Sequence, residues 1–278
     1  MALETRSTLP RYPWNAASVS HRAKDLADAW GLDLDPMTRP YGDWNQILFV
    51  HRGHTPYVLK LVGDGHSAAD EAAALRVWEG NGAVLLVEQA PDALLLERLD
   101  PNRSLSSLRL TDALPVYASV LRQLSVPAPS GLPSLATLAA DMAQLPDIPP
   151  DVLPPHHLTL VRSLAAELAS DDPGNTLVHG DLHTGNILAG ERQPWLAIDP
   201  KPSAGHPERA LAELFWTRID EMDDIPATLA HLASSANLNA DRARAWVIVR
   251  AASYLVWAVN AGLTRDPVKC RRLIDSLA

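Results

Sequence analysis

Apolar positions follow two rhythms along this chain, and the change from one to the other divides it. Residues 46–51 and 57–62 are short apolar runs on either side of Arg52-Gly53-His54-Thr55-Pro56, a turn-forming segment, and together they predict a β-hairpin. Residues 84–87 and 94–96, separated by Gln89-Ala90-Pro91-Asp92, predict two more strands. Two helices interleave with them. One is expected over 18–30, with Ser18 or Ser20 as N-cap and Gly31 as stop; the other spans 67–80, where Ala72, Leu75 and Trp78 fall at helical spacing. After Asp100-Pro101-Asn102 the period turns helical, over 111–124, 135–145 and 158–168, with prolines such as Pro127, Pro133, Pro149 and Pro154 marking the ends. A β-rich start followed by an α-rich remainder predicts an α+β chain of two lobes: 1–96, a connector at 97–101, and a larger, mainly helical lobe over 102–278.

With 47 % hydrophobic and 21 % charged residues among 278, the chain has globular composition and enough length for two cores. A formal net charge of −9 argues against a nucleic-acid partner, which asks for a basic face, and is compatible with a cationic substrate. Cys270 is the sole cysteine, so no intramolecular disulfide can form and a cysteine-based metal cluster is not expected. Residues 1–14 carry Arg6, Pro10, Arg11 and Pro13 without an apolar stretch, so no secretory signal is expected. The most hydrophobic segment, 245–259, contains Arg250 and is shorter than the ~20 residues that span a bilayer; a buried helix is expected there. These readings predict a soluble, cytoplasmic protein with no membrane partner, and nothing demands more than a monomer.

The strongest chemical signal is His179-Gly180-Asp181-Leu182-His183-Thr184-Gly185-Asn186, followed by Leu196-Ala197-Ile198-Asp199. Kinase-type phosphoryl transfer needs one carboxylate to take or orient the hydroxyl proton, and an amide oxygen with a second carboxylate to hold Mg²⁺ against the phosphates of ATP. His179, Asp181 and Asn186 fit the spacing H-x-D-x-x-x-x-N, and Asp199 leaves the end of a short apolar run that can form a strand. Hard oxygen ligands suit Mg²⁺. Taken singly, each of these residues reads more readily as a turn or cap; taken together they read as catalytic.

Lys60 sits within the apolar run Tyr57-Val58-Leu59-Lys60-Leu61-Val62, where a charge is costly unless paired. A nucleotide phosphate and a helix carboxylate would pair it, and the following helix offers Glu71 in preference to the adjacent Asp70. An exposed lysine on an edge strand is the plainer alternative. The glycine-rich loop expected before such a strand is absent: Arg39-Pro40-Tyr41-Gly42-Asp43-Trp44-Asn45-Gln46 holds one glycine, leaving backbone N–H groups or Asn45 for phosphate contact.

At these residues the chain resembles the aminoglycoside phosphotransferase superfamily, and within it the aminoglycoside/hydroxyurea antibiotic resistance kinases, which include streptomycin 6-kinases. The resemblance runs from about Trp30 to Leu277. It is carried most specifically by Val58-Leu59-Lys60-Leu61, Leu94-Leu95-Leu96-Glu97-Arg98-Leu99, Val178 through Leu188, and Ile198-Asp199-Pro200-Lys201-Pro202. It implies a two-lobed protein-kinase-like fold, with 1–96 as nucleotide-binding lobe. Asp181 is implied as catalytic base, Asn186 and Asp199 as Mg²⁺ ligands, and Lys60, held by Glu71, as the phosphate contact. The segment Glu97 to Leu99 is implied as the hinge that pairs with adenine. His179, part of the catalytic string, is implied to support the loop rather than carry a proton. Lys201 is left either neutralising phosphate charge near the substrate or forming an ion pair. One departure stands out: members that act on streptomycin often carry Tyr-Asp where this chain has Arg209-Ala210, and Glu208 or Glu213 is the candidate replacement.

A cationic acceptor would want carboxylates. Glu213 is one candidate, and Asp220 and Glu221, with Asp223 and Asp224, are candidates for an acidic rim, against the plainer reading of a solvated helix end. Trp216, Trp246 and Trp257 suit a sugar ring, but their spacing favours core. The implied activity is transfer of the ATP γ-phosphate to a hydroxyl of a small cationic substrate of aminoglycoside type, such as streptomycin. An amino-sugar or other small-metabolite kinase is the alternative within the fold. A non-catalytic nucleotide-binding module is the alternative outside enzymes; it would predict loss of Lys60, Asp181, Asn186 or Asp199, all of which are present. A protein kinase is disfavoured, because no Asp-Phe-Gly follows from Asp199.

Overall fold

The computed structural model describes residues 20–35, 45–63 and 65–278. The expectations for residues 1–14, Ser18 as N-cap, and most of the phosphate-covering segment, 39–44, lie outside the described residues.

Helix α1 (His21–Trp30) starts where the Ser20 hydroxyl accepts a hydrogen bond from Ala23 N–H and stops at Gly31, whose φ of +62° is the left-handed turn that glycine adopts without strain. It packs on a five-stranded antiparallel sheet formed by β1 (Asp33–Leu34), β2 (Gln46–Arg52), β3 (Thr55–Leu61), β4 (Leu86–Ala90) and β5 (Ala93–Glu97), in the order β1-β2-β3-β5-β4. The hairpin of β2 and β3 pairs Leu48 with Leu59 and Ile47 with Lys60. Strand β3 is interior, flanked by β2 and β5, so the edge-strand reading of Lys60 does not apply. The alternation of side chains along a strand then decides its environment. Leu59 and Leu61 join Ala23, Leu26 and Ala27 of α1 in one apolar cluster, while Lys60 projects from the other face toward α2 (Ala68–Trp78).

The chain leaves the N-terminal sheet after Glu97, and β6 (Asp100–Ser104) pairs instead with β8 (Ile187–Ala189), which pairs with β9 (Leu196–Ala197). A second small sheet joins β7 (Thr176–Val178) to β10 (Ser203–Gly205). Around these lie α3 (Leu110–Leu124), α4 (Leu135–Ala143), α5 (Pro155–Ser170), α6 (Ala212–Arg218), α7 (Ile225–Ser235), α8 (Ala240–Asn260) and α9 (Asp266–Leu277). The apolar segment 245–259 falls within α8, which packs on α5, α7 and α9. Among the described residues, no helix is long and apolar enough to cross a membrane. Of the three tryptophans expected in the core, Trp246 is fully buried, Trp216 is half-buried, and Trp257 is 44 % exposed. Trp257 falls on the outer side of α8 and stacks on Tyr254 at 5.3 Å, which in turn stacks on Trp216 at 4.7 Å.

The two regions are stitched at the end of α2. Trp78 donates its indole N–H to Leu124 O of α3, and Val84 N–H donates to Ala197 O while Ala197 N–H returns the bond to Gly82 O. This seam holds α2, and therefore Glu71, against the loop that follows β7.

Candidate active site

The loop between β7 and β8 is cross-braced by its own polar groups. His183 N–H and the Asn186 amide both donate to Asp181 O, at 3.0 and 2.9 Å, and Ile198 N–H donates to Asn186 O at 2.9 Å. The amide orientation of Asn186 turns its side-chain oxygen away from this bond. Tyr117 of α3, fully buried, places its hydroxyl 2.8 Å from Leu182 O and 2.7 Å from Ala210 O. A buried phenol needs a partner; here it ties the loop to the helical core. Sequence reading passed over Tyr117, although a lone hydroxyl on the apolar face formed by Ala113, Val120 and Leu124 was a usable signal.

His179 is 1 % exposed and stacks on Trp78 with ring centroids 6.0 Å apart. Its Nε2 lies 3.0 Å from Ile198 O, and its Nδ1 accepts from Asp181 N–H at 3.3 Å. The second bond requires a bare Nδ1, so the proton resides on Nε2 and the ring is neutral. Burial, opposed only in part by Asp199, depresses its pKa to about 4. The ring thus holds Asp181 and the strand end together and has no free site for proton transfer.

Lys60 is 3 % exposed. Its ammonium donates to both Glu71 carboxylate oxygens, at 2.7 and 2.6 Å, and to Asp199 Oδ1 at 2.5 Å. Burial by itself would lower its pKa, but Glu71 and Asp199 outweigh it and hold the pKa above the ordinary value. Asp199 is pushed up by burial and pulled down further by Lys60, ending below the usual carboxylate range. Its φ of +56° is a left-handed conformation that asparagine and aspartate tolerate better than most residues. That turn aims the carboxylate back from the end of β9 toward the lysine and the loop.

Lys201 lies 2.6 Å from Asp181 Oδ2. Asp199, Lys201, Gly180, Glu71 and Arg209 line a cavity of about 360 Å³. Among the described residues, no group of three or more His, Cys, Asp or Glu side chains is placed to hold a metal ion. The oxygens of Asn186 and Asp199 are a two-ligand, all-oxygen set, which fits Mg²⁺ completed by water and phosphate rather than a resident ion in a protein cage.

Glu97 carries its side chain away from a ligand role: its carboxylate accepts from Arg192 and from Leu85 N–H, and its own N–H donates to Leu85 O at 2.9 Å. Arg192, from the turn after β8, also donates to Gly80 O and Ala83 O and so spans the connector and the end of α2. Nothing in Gly190-Glu191-Arg192-Gln193 marks it in sequence. Leu99 is buried at the same junction. Asn45 Oδ1 accepts from Gly63 N–H at 3.1 Å, closing the ends of β2 and β3.

Glu213, Asp220 and Glu221, named for a cationic acceptor, are paired within the chain. Glu213 is 1 % exposed and lies between Arg209 Nη1 at 2.7 Å and Arg250 Nε at 3.0 Å. Burial raises its pKa, but the two guanidinium groups outweigh that and leave it below the ordinary value. Asp220 is exposed but ion-paired to Lys269 and Arg272, and Glu221 is paired to Arg218. Arg218 and Arg209 are near neighbours of their carboxylates in sequence, whereas Arg250 of α8 and Lys269 and Arg272 of α9 come from distant elements. Glu208, the other candidate replacement beside Arg209, accepts from Asn239 N–H and so faces α8 rather than the loop.

Comparison with known proteins fits this arrangement. The chain is 38 % identical over 251 residues to a hydroxyurea phosphotransferase of Kitasatospora aureofaciens, covering 87 % of this chain and 73 % of that protein. It is 34 % identical over 252 residues to a streptomycin 6-kinase of Streptomyces griseus, covering 85 % and 82 %. Choline kinase LicA from Streptococcus pneumoniae matches with a TM-score of 0.64 at 16 % identity, over 93 % of this chain and 99 % of its own, so the two-lobed protein-kinase-like fold is shared. Residues 38–262 match the family described as aminoglycoside/hydroxyurea antibiotic resistance kinase. With a small-molecule kinase's fold and matches over most of its length, the chain belongs to the aminoglycoside/hydroxyurea antibiotic resistance kinase family.

Proposed function

We propose that the protein moves the γ-phosphoryl group of ATP, with Mg²⁺, to a hydroxyl of a small cationic acceptor of aminoglycoside type, such as streptomycin. The observation that carries this reading is convergence: Lys60 and Asp199, 139 residues apart, are bonded, and Asn186 bonds the Asp181 backbone beside them. Lys60 is placed for the nucleotide phosphates, with Glu71 holding it. Asn186 and Asp199 would hold Mg²⁺, which when bound supplies positive charge that offsets the developing charge on the phosphate oxygens. Asp181 orients the acceptor hydroxyl and takes its proton as the new oxygen–phosphorus bond forms and the bond to the leaving diphosphate breaks. At the connector, the N–H of Glu97 is already used, so adenine pairing at that residue falls to its carbonyl.

A second reading is hydroxyurea as acceptor. It is favoured by the relative at 38 % identity and by Ala210, which stands where members that act on streptomycin often carry Asp. A coupled ADP-release assay against streptomycin, other aminoglycosides, hydroxyurea and simple amino sugars separates them. Turnover with streptomycin, lost in Asp181→Ala, is the expected result. Turnover with hydroxyurea alone moves the acceptor, and turnover unchanged by Asp181→Ala overturns the assignment of the base.

A further inference from the structure

Lys201 reaches Asp181 from a rigid support. Pro200 and Pro202 on either side are buried, while Lys201 between them is exposed. Each proline fixes its own φ, and Pro202 also restricts Lys201 to extended backbone. Lys201 N–H donates to His179 O at 2.8 Å, and its carbonyl rests on Gly180, where a Cβ would come within 1.9 Å. The two segments can touch so closely because residue 180 has no side chain. An ordinary exposed ion pair swings on a flexible backbone and contributes about 0–1 kcal/mol; this one is fixed at its root.

The other cations near the loop are engaged elsewhere. Lys60 is held by Glu71 and Asp199, Arg209 by Glu213, and Arg218 by Glu221 and Leu108 O. His183, two residues after Asp181, uses Nδ1 to accept from Gly185 N–H. Lys201 is therefore the cation that meets Asp181, at 2.6 Å, and its side chain is 47 % exposed at the cavity shared with Asp199.

Resting on the phosphotransferase reading above, we propose that Lys201 is a catalytic residue of the transfer, bridging Asp181 Oδ2 and an oxygen of the transferred phosphoryl group. An ammonium has three N–H donors, so one bond to Oδ2 leaves two for phosphate. Oδ1 stays open to the acceptor hydroxyl. The acceptor oxygen bonds to phosphorus, the bond from phosphorus to the leaving diphosphate breaks, and the hydroxyl proton passes to Asp181 Oδ1; Lys201 keeps its proton throughout. A loose transition state depends more on alignment and on charge spread over the phosphoryl oxygens than on base strength.

The test compares wild type, Lys201→Met, Lys201→Arg and Lys201→Ala with Mg²⁺-ATP and whichever of streptomycin or hydroxyurea wild type phosphorylates. Nucleotide affinity is measured separately by calorimetry. Removal of one preorganised donor predicts a kcat loss of about 10²–10³-fold in Lys201→Met, with nucleotide Kd within about threefold. Lys201→Arg should restore part of it, and added ethylammonium should raise kcat in Lys201→Ala but not in Lys201→Met. A Lys201→Met enzyme with wild-type kcat overturns the proposal and leaves the phosphotransferase reading standing. So does a loss that lies wholly in nucleotide Kd, or one that neither arginine nor ethylammonium repairs. If wild type transfers phosphate to neither streptomycin nor hydroxyurea nor any other acceptor of the panel above, the underlying reading fails, and this proposal with it.

Discussion

Gly180→Ala is the sharpest probe of the contact between the loop joining β7 to β8 and the segment after Asp199. The added Cβ would lie 1.9 Å from the Lys201 carbonyl oxygen, where ordinary contact begins at 3.4 Å, so the two backbones must separate by about 1.5 Å. The φ of +75° adds strain on the order of 1 kcal/mol for a residue with a side chain. Neither partner moves freely: His179 O receives Lys201 N–H, and Ser203 pairs with Val178 two residues upstream. Asp181 follows directly on Gly180 and must absorb part of the shift. Misplacement of a reacting group by about 1 Å costs on the order of 10²-fold in rate, so kcat should fall about 100-fold. Nucleotide affinity should change less than tenfold, because Lys60 and Glu71 lie on other elements. Thermal unfolding should drop by roughly 4–16 degrees, since relieving the overlap adds about 1–3 kcal/mol to the backbone strain. The assay is steady-state ADP release with the phosphorylated acceptor, paired with a melting curve. A kcat within threefold of wild type would refute the claim that this close approach sets the geometry of Asp181.

Three further outcomes are expected. His179 has a folded pKa of about 4 against an ordinary 6.5, so the unfolded chain binds the extra proton first as pH falls. Its contribution is fully present above pH 6.5 and is lost progressively down to about pH 4, at most about 3 kcal/mol; urea midpoints across that range should fall less steeply in His179→Gln, and identical slopes would remove His179 as the source. Glu213→Gln leaves Arg209 and Arg250 facing a neutral amide in the core, and should cost about 3–5 kcal/mol; a melting temperature equal to wild type would contradict the buried-triad account. Chelation with EDTA should abolish phosphate transfer, restorable by Mg²⁺, while leaving the melting temperature of the nucleotide-free protein unchanged, since no metal cage exists among the described residues; a lower melting temperature would reveal a structural ion.

Local rules carried the sequence reading a long way. Period-2 and period-3.6 patterns placed β2, β3, α2 and α3 within a few residues, because burial on one face is written into the spacing of apolar side chains. The H-x-D-x-x-x-x-N string and the apolar run before Asp199 stand out in sequence because phosphoryl-transfer chemistry asks for particular atoms at short separations, and the structure brings these segments together. Only the tertiary structure decided which charges meet. Asp220 read as part of a free acidic run, yet Lys269 and Arg272 of α9 pair with it. Glu213 read as a carboxylate for a cationic acceptor, yet α6 packs so that Arg250 of α8 joins its sequence neighbour Arg209 in enclosing it. Trp257 fits a helical apolar period but falls on the outer side of α8. Arg192 and Tyr117 gained their roles from carbonyls more than 60 residues away. Apolar burial follows spacing along the chain, so a sequence can state it. An ion pair or a side-chain bond to a distant carbonyl depends on how whole elements dock, and that is settled when the lobes assemble.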